Sequence, residues 1–232
     1  MGTDLTLNAT ILGQPTYSLT EAARLLRVSP STLRWWLEGA ERGDRSYPPV
    51  LREEPQGTST LTWGEFVEAG YLREYREGIP LQRLRPLIAE LRHELGVPYP
   101  LATAQPMTDG RELVWNLQLK LELPEELWVV VGGRQLVLGG AADAFFKRVE
   151  FDPVSTEAIR YTVMKAEVPV VVDPRRSFGL PTIRGARTET IAELVLAGEP
   201  TEVVADIYED YGLRETDVRN AVRFEREYMR AA

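Results

Sequence analysis

The chain contains no cysteine and only one histidine, His93, among its 232 residues. Without cysteine it forms no disulfide, binds no metal through thiolates and has no thiol nucleophile, which fits a reducing cytoplasm. A single imidazole is too few for a typical zinc site or a catalytic triad. No apolar run approaches the roughly 20 residues of a membrane helix, and no export signal begins the chain. We therefore expect a cytoplasmic protein with no membrane contact and no metal.

Enzymatic motifs are also missing. The chain has no glycine-rich phosphate loop, and Asp152 and Asp173 each precede a proline, a placement typical of turns rather than of acid–base pairs. We therefore predict no catalytic residue and no cofactor.

Positive charge is scarce, since 27 Lys and Arg face 35 Asp and Glu and give a net charge of −8. This balance disfavours indiscriminate binding to nucleic acid but allows a local basic surface. Residues 199–217 hold seven acids and only Arg214, whereas residues 174–188 hold no acid. The arginines of that second stretch are Arg175, Arg176, Arg184 and Arg187. Segregated charge suggests two partners of opposite sign, although a solvated helix face explains the acidic run equally well.

Residues 17–39 have the pattern of two short helices joined by a tight turn. Small and apolar residues recur at helical spacing in the first helix, and Ser29 and Pro30 suit the cap and first position of the second. The second helix has an apolar stripe of Leu33, Trp36 and Leu37. Its outer face then carries Ser31, Thr32, Arg34 and Trp35. Polar residues and an arginine at this end of a second helix are typical of major-groove DNA contacts.

Two short strands at residues 47–51 and 59–62, with a polar loop between them, are predicted to form a wing along the DNA backbone. Helices are predicted at about 63–76 and 81–95, the second either starting near Leu84 or kinked at Pro86. The sequence from residue 17 to about 96, with SPSTLRWW and then EGIPLQRLRPLIAEL, resembles the DNA-binding domain of MerR regulators. The resemblance implies that Ser31, Thr32 and Arg34 face DNA. It departs from the family pattern in two ways: the wing lacks an arginine near Ser59 and Thr60, and no long coiled-coil helix follows Gly96.

The remaining segments change from strands to helices. Residues 97–168 are predicted to form a mainly antiparallel β module, with a hairpin over residues 128–138 and further strands at 111–123, 145–151 and 158–163. Its aromatic residues are interpreted as core, with a ligand pocket as the alternative. Helices at about 188–197, 200–208 and 215–230 complete the chain, and the last two again have a helix-turn-helix pattern. The exposed face of the last helix carries Arg219, Asn220 and Arg223, residue types that read base edges.

The stretch before these helices resembles a bacterial domain of initially unknown function that is often found in antitoxin-like proteins. Its pattern is matched by Asp173, Pro174, Gly179, Pro181, Ile183, Gly185 and Arg187. A MerR-like head, a strand-rich middle and this tail together resemble the VapB-type antitoxins of actinobacteria. That resemblance implies a repressor that binds its own operator as a homodimer and neutralises a PIN-domain ribonuclease toxin. The alternative is a stand-alone transcription regulator whose middle module senses a ligand or sets the dimer.

The sequence thus predicts an α+β protein with four parts: an arm (1–16), a MerR-like winged helix-turn-helix (17–96), a β-rich middle module (97–168) and a three-helix, antitoxin-like domain (169–232). The four arginines of residues 174–188 are candidates for contact with toxin carboxylates or with DNA phosphate, and a solvated structural loop is the alternative.

Overall fold

The computed structural model describes residues 10–75, 81–103, 129–132, 135–138 and 144–229. Its α-helices are α1 (Leu19–Leu26), α2 (Pro30–Glu38), α3 (Trp63–Tyr75), α4 (Leu81–Leu95), α5 (Thr188–Leu196), α6 (Thr201–Ile207) and α7 (Glu215–Phe224). Its strands are β1 (Pro15–Ser18), β2 (Ala40–Arg42), β3 (Arg45–Tyr47), β4 (Thr60–Thr62), β5 (Val129–Gly132), β6 (Gln135–Leu138), β7 (Val149–Phe151), β8 (Ala158–Met164), β9 (Val170–Val172), β10 (Thr182–Ile183) and β11 (Ala186–Arg187). The predicted α+β class with mainly antiparallel sheet is confirmed.

The first two helices are delimited by local capping, and the cap predicted at Ser29 and Pro30 of the second helix is confirmed. Ser18 and Glu21 form a reciprocal capping box at the start of α1, which ends at Arg27 in the left-handed conformation (φ 53°). The Ser29 hydroxyl accepts a hydrogen bond from the Thr32 backbone nitrogen at 3.1 Å, and Pro30 is the first residue of α2. Only three residues separate the helices, so a compact helix-turn-helix results.

The predicted wing is wrong in its strand pairing. The hairpin here is β2 with β3, and β4 pairs antiparallel with β1, a strand that begins within the predicted N-terminal arm. Pro48 and Pro49 follow β3 and supply no backbone N–H for a ladder, so residues 48–51 do not continue as a strand. The backbone nitrogens of Val50 and Leu51 instead donate to the Trp36 carbonyl oxygen at 2.8 and 3.0 Å.

The first helices share their core with the sheet. Helix α4 starts at Leu81, so Pro86 lies inside it. Its apolar residues Leu84, Leu87, Ile88 and Leu91 are buried, whereas Leu95 is half-buried. The same apolar cluster continues into Phe145 and Tyr161, beside and within the sheet. The Trp63 indole nitrogen donates to the Ala158 carbonyl oxygen at 2.6 Å. These contacts fix the N-terminal helices on the sheet.

The main sheet has five antiparallel strands in the order β11-β10-β9-β8-β7. It contains strands from both sides of residue 168, where the predicted middle module ends and the predicted C-terminal domain follows. The predicted hairpin is confirmed as β5 paired antiparallel with β6, from Val129 with Leu138 to Gly132 with Gln135. Strand β7 begins at Val149 because residues 144–146 are helical, so the strand predicted from residue 145 starts too early. The strand predicted at 111–123 and the aromatic residues Trp115 and Trp128 lie outside the described residues.

A second, smaller core lies under the predicted C-terminal helices, which form as α5, α6 and α7. It contains Ile183 and Ala186 from the sheet edge, and Ile191, Val204, Ala205, Leu213, Val218 and Ala221 from the helices and their turn. Within the residues described, no helix is long and apolar enough to cross a membrane.

Candidate nucleic-acid and protein interfaces

The outer face of α2 is polar and open. Ser31 and Arg34 are exposed, whereas Leu33, Trp36 and Leu37 are fully buried. Arg34 forms no hydrogen bond or ion pair within the described part of the chain, so its guanidinium has all five donors available for a ligand. Ser31 and Thr32 place their hydroxyl oxygens 3.0 and 2.7 Å from that of the capping Ser29. Trp35 differs from the sequence prediction, since it is partly buried against the core.

Two further arginines lie close to the start of α2: Arg24 on α1 and Arg27 at the C-terminal cap of α1. Arg27 is exposed, and its guanidinium carbon lies 3.9 Å from the ring centroid of Tyr228, a cation–π contact. The Arg24 Nε is buried and has no hydrogen-bond partner among the described residues. Arg24, Arg27 and Pro30 line a cleft of about 610 Å³ whose other wall includes Arg226 and Tyr228. The C-terminal segment therefore packs directly beside the first helix-turn-helix.

A buried ionic cluster fixes the end of α2. Arg52 is hydrogen-bonded to Glu38 and Glu65, and its Nη2 donates to the Thr60 carbonyl oxygen at 2.9 Å. Burial alone would lower the pKa of Arg52, but the hydrogen bonds and negative charges of Glu65 and Glu38 outweigh it and raise that pKa. The cluster thereby ties α2, α3 and β4 together through charge-assisted hydrogen bonds.

Glu68 is a second buried charge, located on α3. Its Oε2 lies 3.4 Å from Arg92, and its Oε1 accepts a hydrogen bond of 3.1 Å from the Leu101 backbone nitrogen. Burial raises the pKa of Glu68 to about 7, against the opposing effect of Arg92. No group of three or more His, Asp or Glu side chains among the described residues is arranged to hold a metal ion.

The four predicted arginines of residues 174–188 do not form one basic patch. Three of them are paired: Arg175 with buried Asp173 at 3.2 Å, Arg184 with buried Asp217 at 2.8 Å, and Arg187 with exposed Glu189 at 3.0 Å. Burial of Asp173 and Asp217 makes the first two pairs structural. Arg176 is exposed and has no such partner in the described part of the chain, so it is the arginine best placed for an external anion.

The loop around Arg176 also presents an apolar residue that sequence reasoning missed. Phe178 is 90% exposed, and Ser177, Phe178 and Gly179 all adopt positive φ angles of 49°, 57° and 77°. The Tyr17 hydroxyl, itself buried, donates to the Gly179 carbonyl oxygen at 2.7 Å and fixes the loop on β1. A left-handed backbone conformation costs free energy at a non-glycine residue, and residues that keep it are concentrated at functional sites.

The second helix-turn-helix presents a less open face than the first. Arg219 pairs with Glu215 at 2.9 Å, and Asn220 is half-buried. Arg223 is exposed, with its Nη2 3.7 Å from the Met164 sulfur. Two of the three predicted base-reading residues on α7 are therefore paired or partly covered.

Comparison with known proteins covers nearly the whole chain. The chain is 33% identical over 228 residues to "Uncharacterized protein Rv2308" of Mycobacterium tuberculosis, covering 95% of this chain and 94% of that protein. It is 30% identical to "Putative antitoxin VapB45" of the same organism, covering 90% and 92% of the two chains. The chain belongs to the family of Rv2308 and VapB45. The predicted resemblance to VapB-type antitoxins is thereby confirmed at the level of an antitoxin-like family.

A solved structure has a similar fold. The "X-ray crystal structure of Rv2018 from Mycobacterium tuberculosis" matches this chain with a TM-score of 0.69 at 27% identity, covering 90% of this chain and 97% of that one. Residues 170–224 match the family described as "Protein of unknown function (DUF433)". This segment runs from β9 through the Arg176 loop to the end of α7. The predicted C-terminal resemblance thus coincides with a matched segment.

Proposed function

We propose that this chain is a non-enzymatic, DNA-binding antitoxin of the cytoplasm, which represses its own operon as a homodimer and neutralises a PIN-domain ribonuclease toxin. The observation that carries the proposal is the similarity, over nine-tenths of both chains, to the protein named "Putative antitoxin VapB45". A MerR-like mode of DNA binding belongs to this proposal as well, on the resemblance of residues 17–96.

Helix α2 is proposed as the DNA-reading helix in preference to α7. Arg34 on α2 has no internal partner in the described part of the chain, whereas Arg219 on α7 is held by Glu215. An arginine must be free to make a bidentate contact with a guanine edge. Arg24 and Arg27 add positive charge beside the start of α2, where they line one cleft with Pro30.

Arg176 is proposed to bind an anionic partner. A PIN-domain nuclease has clustered carboxylates that hold a divalent metal, and DNA has phosphates; both are acceptors that suit a guanidinium. Measuring Arg176→Ala in a toxin-binding assay and in a DNA-binding assay decides between these two acceptors. If the variant binds both toxin and DNA as the wild type does, Arg176 is part of a solvated structural loop and binds neither partner.

The DNA half is tested by gel shift at fixed salt, using the DNA upstream of this gene. Arg34→Ala should lose about 1 to 3 kcal/mol of binding free energy, roughly 5- to 150-fold in affinity. Arg219→Ala is the matched control and should bind as the wild type. The footprint should be palindromic, because a two-fold dimer reads two equal half-sites. Loss of affinity with Arg219→Ala alone would make α7 the reading helix.

The toxin half is tested in cells with the adjacent reading frame. Expressed alone, that frame should stop growth, and co-expression of this chain should restore it. Operator binding together with a harmless neighbour would instead support the stand-alone regulator.

A further inference from the structure

Helix α6 has apolar residues on two opposite faces. Its inner residues Val204 and Ala205 are buried in the second core. Its outer residues Val203 and Ile207 are exposed, and Ile207 is 57% accessible to solvent. Folding requires only the inner face, because that face alone packs against α5 and α7. The outer apolar pair is therefore unexplained by the fold.

The outer residues form a stripe rather than isolated positions. Val203 and Ile207 are four residues apart and so lie on one side of α6. Tyr211 lies beyond the end of α6, in the 3-10 turn Glu209–Tyr211, and is also exposed, at 51%. Single exposed apolar residues are ordinary, but contiguous ones mark surfaces that bind other molecules.

The stripe is surrounded by carboxylates. Five exposed acids occupy the same stretch and form no ion pair within the described part of the chain: Glu199, Glu202, Asp206, Glu209 and Asp210. Uncompensated negative charge repels DNA phosphate, so this face does not suit nucleic acid. It does not suit an identical copy either, because a two-fold interface would place like charges opposite each other. The complementary occupant is a different protein with an apolar groove bordered by lysine or arginine.

We infer that the stripe Val203–Ile207 on α6, with the exposed Tyr211 of the following turn, is the docking surface for the protein partner of this chain. The inference rests on the proposed antitoxin function, in which that partner is the product of the adjacent reading frame. Its apolar centre and charged rim match the usual anatomy of protein interfaces. The chain then binds its two partners at separate places, with DNA at the basic face of α2 and the toxin at the acidic face of α6.

The test measures binding of the purified adjacent-frame product to the full chain by titration calorimetry. Ile207→Asp should weaken binding by roughly tenfold to a hundredfold, the range expected when a charge replaces a residue at the centre of an interface. Val154→Asp is the matched control, since Val154 is also apolar and is 91% exposed on the turn between β7 and β8. The control should bind as the wild type, and both variants should retain the gel shift of the wild type.

Each alternative gives its own result. If Ile207→Asp binds the adjacent product as tightly as the wild type, the docking surface is refuted while the antitoxin function stands. If the wild type itself does not bind, the proposed function and the docking surface both fail. If Ile207→Asp converts a dimer into a monomer by light scattering and still binds the product, the stripe is a contact between copies and the inference is wrong.

A second variant keeps the test decisive if Ile207→Asp does not fold. Asp206→Lys preserves the apolar stripe and reverses one charge of the rim. It should slow association with a basic partner several-fold at low salt and reduce the salt dependence of binding. Unchanged association kinetics would contradict the inferred basic partner.

Discussion

Gly70→Ala tests the packing of the N-terminal helices on the sheet. Gly70 lies inside α3, where alanine would ordinarily stabilise the helix by about 1 kcal/mol. Here a Cβ would lie 1.9 Å from Cζ and 2.1 Å from Cε2 of the Phe145 ring. The ring cannot easily yield, because it stacks on Tyr161 with centroids 4.8 Å apart and meets Tyr71 edge-on at 4.8 Å. Helix propensity favours the alanine variant and the steric clash with Phe145 disfavours it, so their balance decides whether the free energy of unfolding rises or falls.

The steric effect should prevail over helix propensity. Overpacking of a filled core costs about 1 to 3 kcal/mol, and the helix-propensity gain of about 1 kcal/mol offsets part of it, so the net change should be a loss of up to about 2 kcal/mol in the free energy of unfolding. Urea denaturation monitored by circular dichroism measures it. Phe145→Leu vacates the space, so the double variant should be less destabilised than the sum of the two single changes by about 1 kcal/mol or more. A stabilised Gly70→Ala, or strict additivity, would refute the contact.

Three further changes test the buried polar groups. Folding raises the pKa of Glu68 from 4.5 to about 7, so its carboxyl binds a proton more tightly in the native state than in the unfolded state. This tighter proton binding stabilises the native state at low pH, and the stabilisation is lost as pH rises from 4.5 to about 7. In the wild type the free energy of unfolding should therefore fall by up to about 3 kcal/mol between pH 5 and pH 8, and Glu68→Gln should remove this fall. A variant whose unfolding has the same pH profile as the wild type would contradict this. Tyr17→Phe should cost about 1 to 3 kcal/mol because it leaves the Gly179 carbonyl buried without its donor; an unchanged denaturation midpoint would show that the loop is not fixed there. Arg52→Gln should lower the free energy of unfolding by about 3 to 5 kcal/mol, because it leaves the Glu65 carboxylate buried without its ion-pair partner. A loss below about 1 kcal/mol would show that the ionic cluster around Arg52 is exposed to solvent.

The features predicted well from sequence depend on neighbouring residues. The caps at Ser29 and Pro30 act within one helical turn, so the start of α2 can be predicted from its own residues. The β5–β6 hairpin and the three C-terminal helices follow equally local patterns of turns and apolar spacing.

The features predicted poorly depend on contacts between distant residues. The partner of β4 is β1, more than forty residues earlier in the chain, so strand pattern alone suggested the wrong hairpin. The sequence of residues 174–188 suggests a basic patch, because it does not show which acids pair with its arginines. Arg184, for example, pairs with Asp217, which is distant in the sequence. The loop that presents Phe178 also involves a distant residue, since the adjacent Gly179 carbonyl oxygen accepts a hydrogen bond from Tyr17, 162 residues earlier in the chain. The adjacent glycine and proline indicated a turn but not its orientation.

The most direct test of the proposed antitoxin function is an RNA cleavage assay with the purified adjacent-frame product and Mg²⁺. The product alone should cleave RNA, and addition of the full chain should abolish cleavage at a stoichiometric ratio, while Ile207→Asp should require a large excess. Cleavage that continues unchanged in the presence of excess wild-type chain would contradict the antitoxin function.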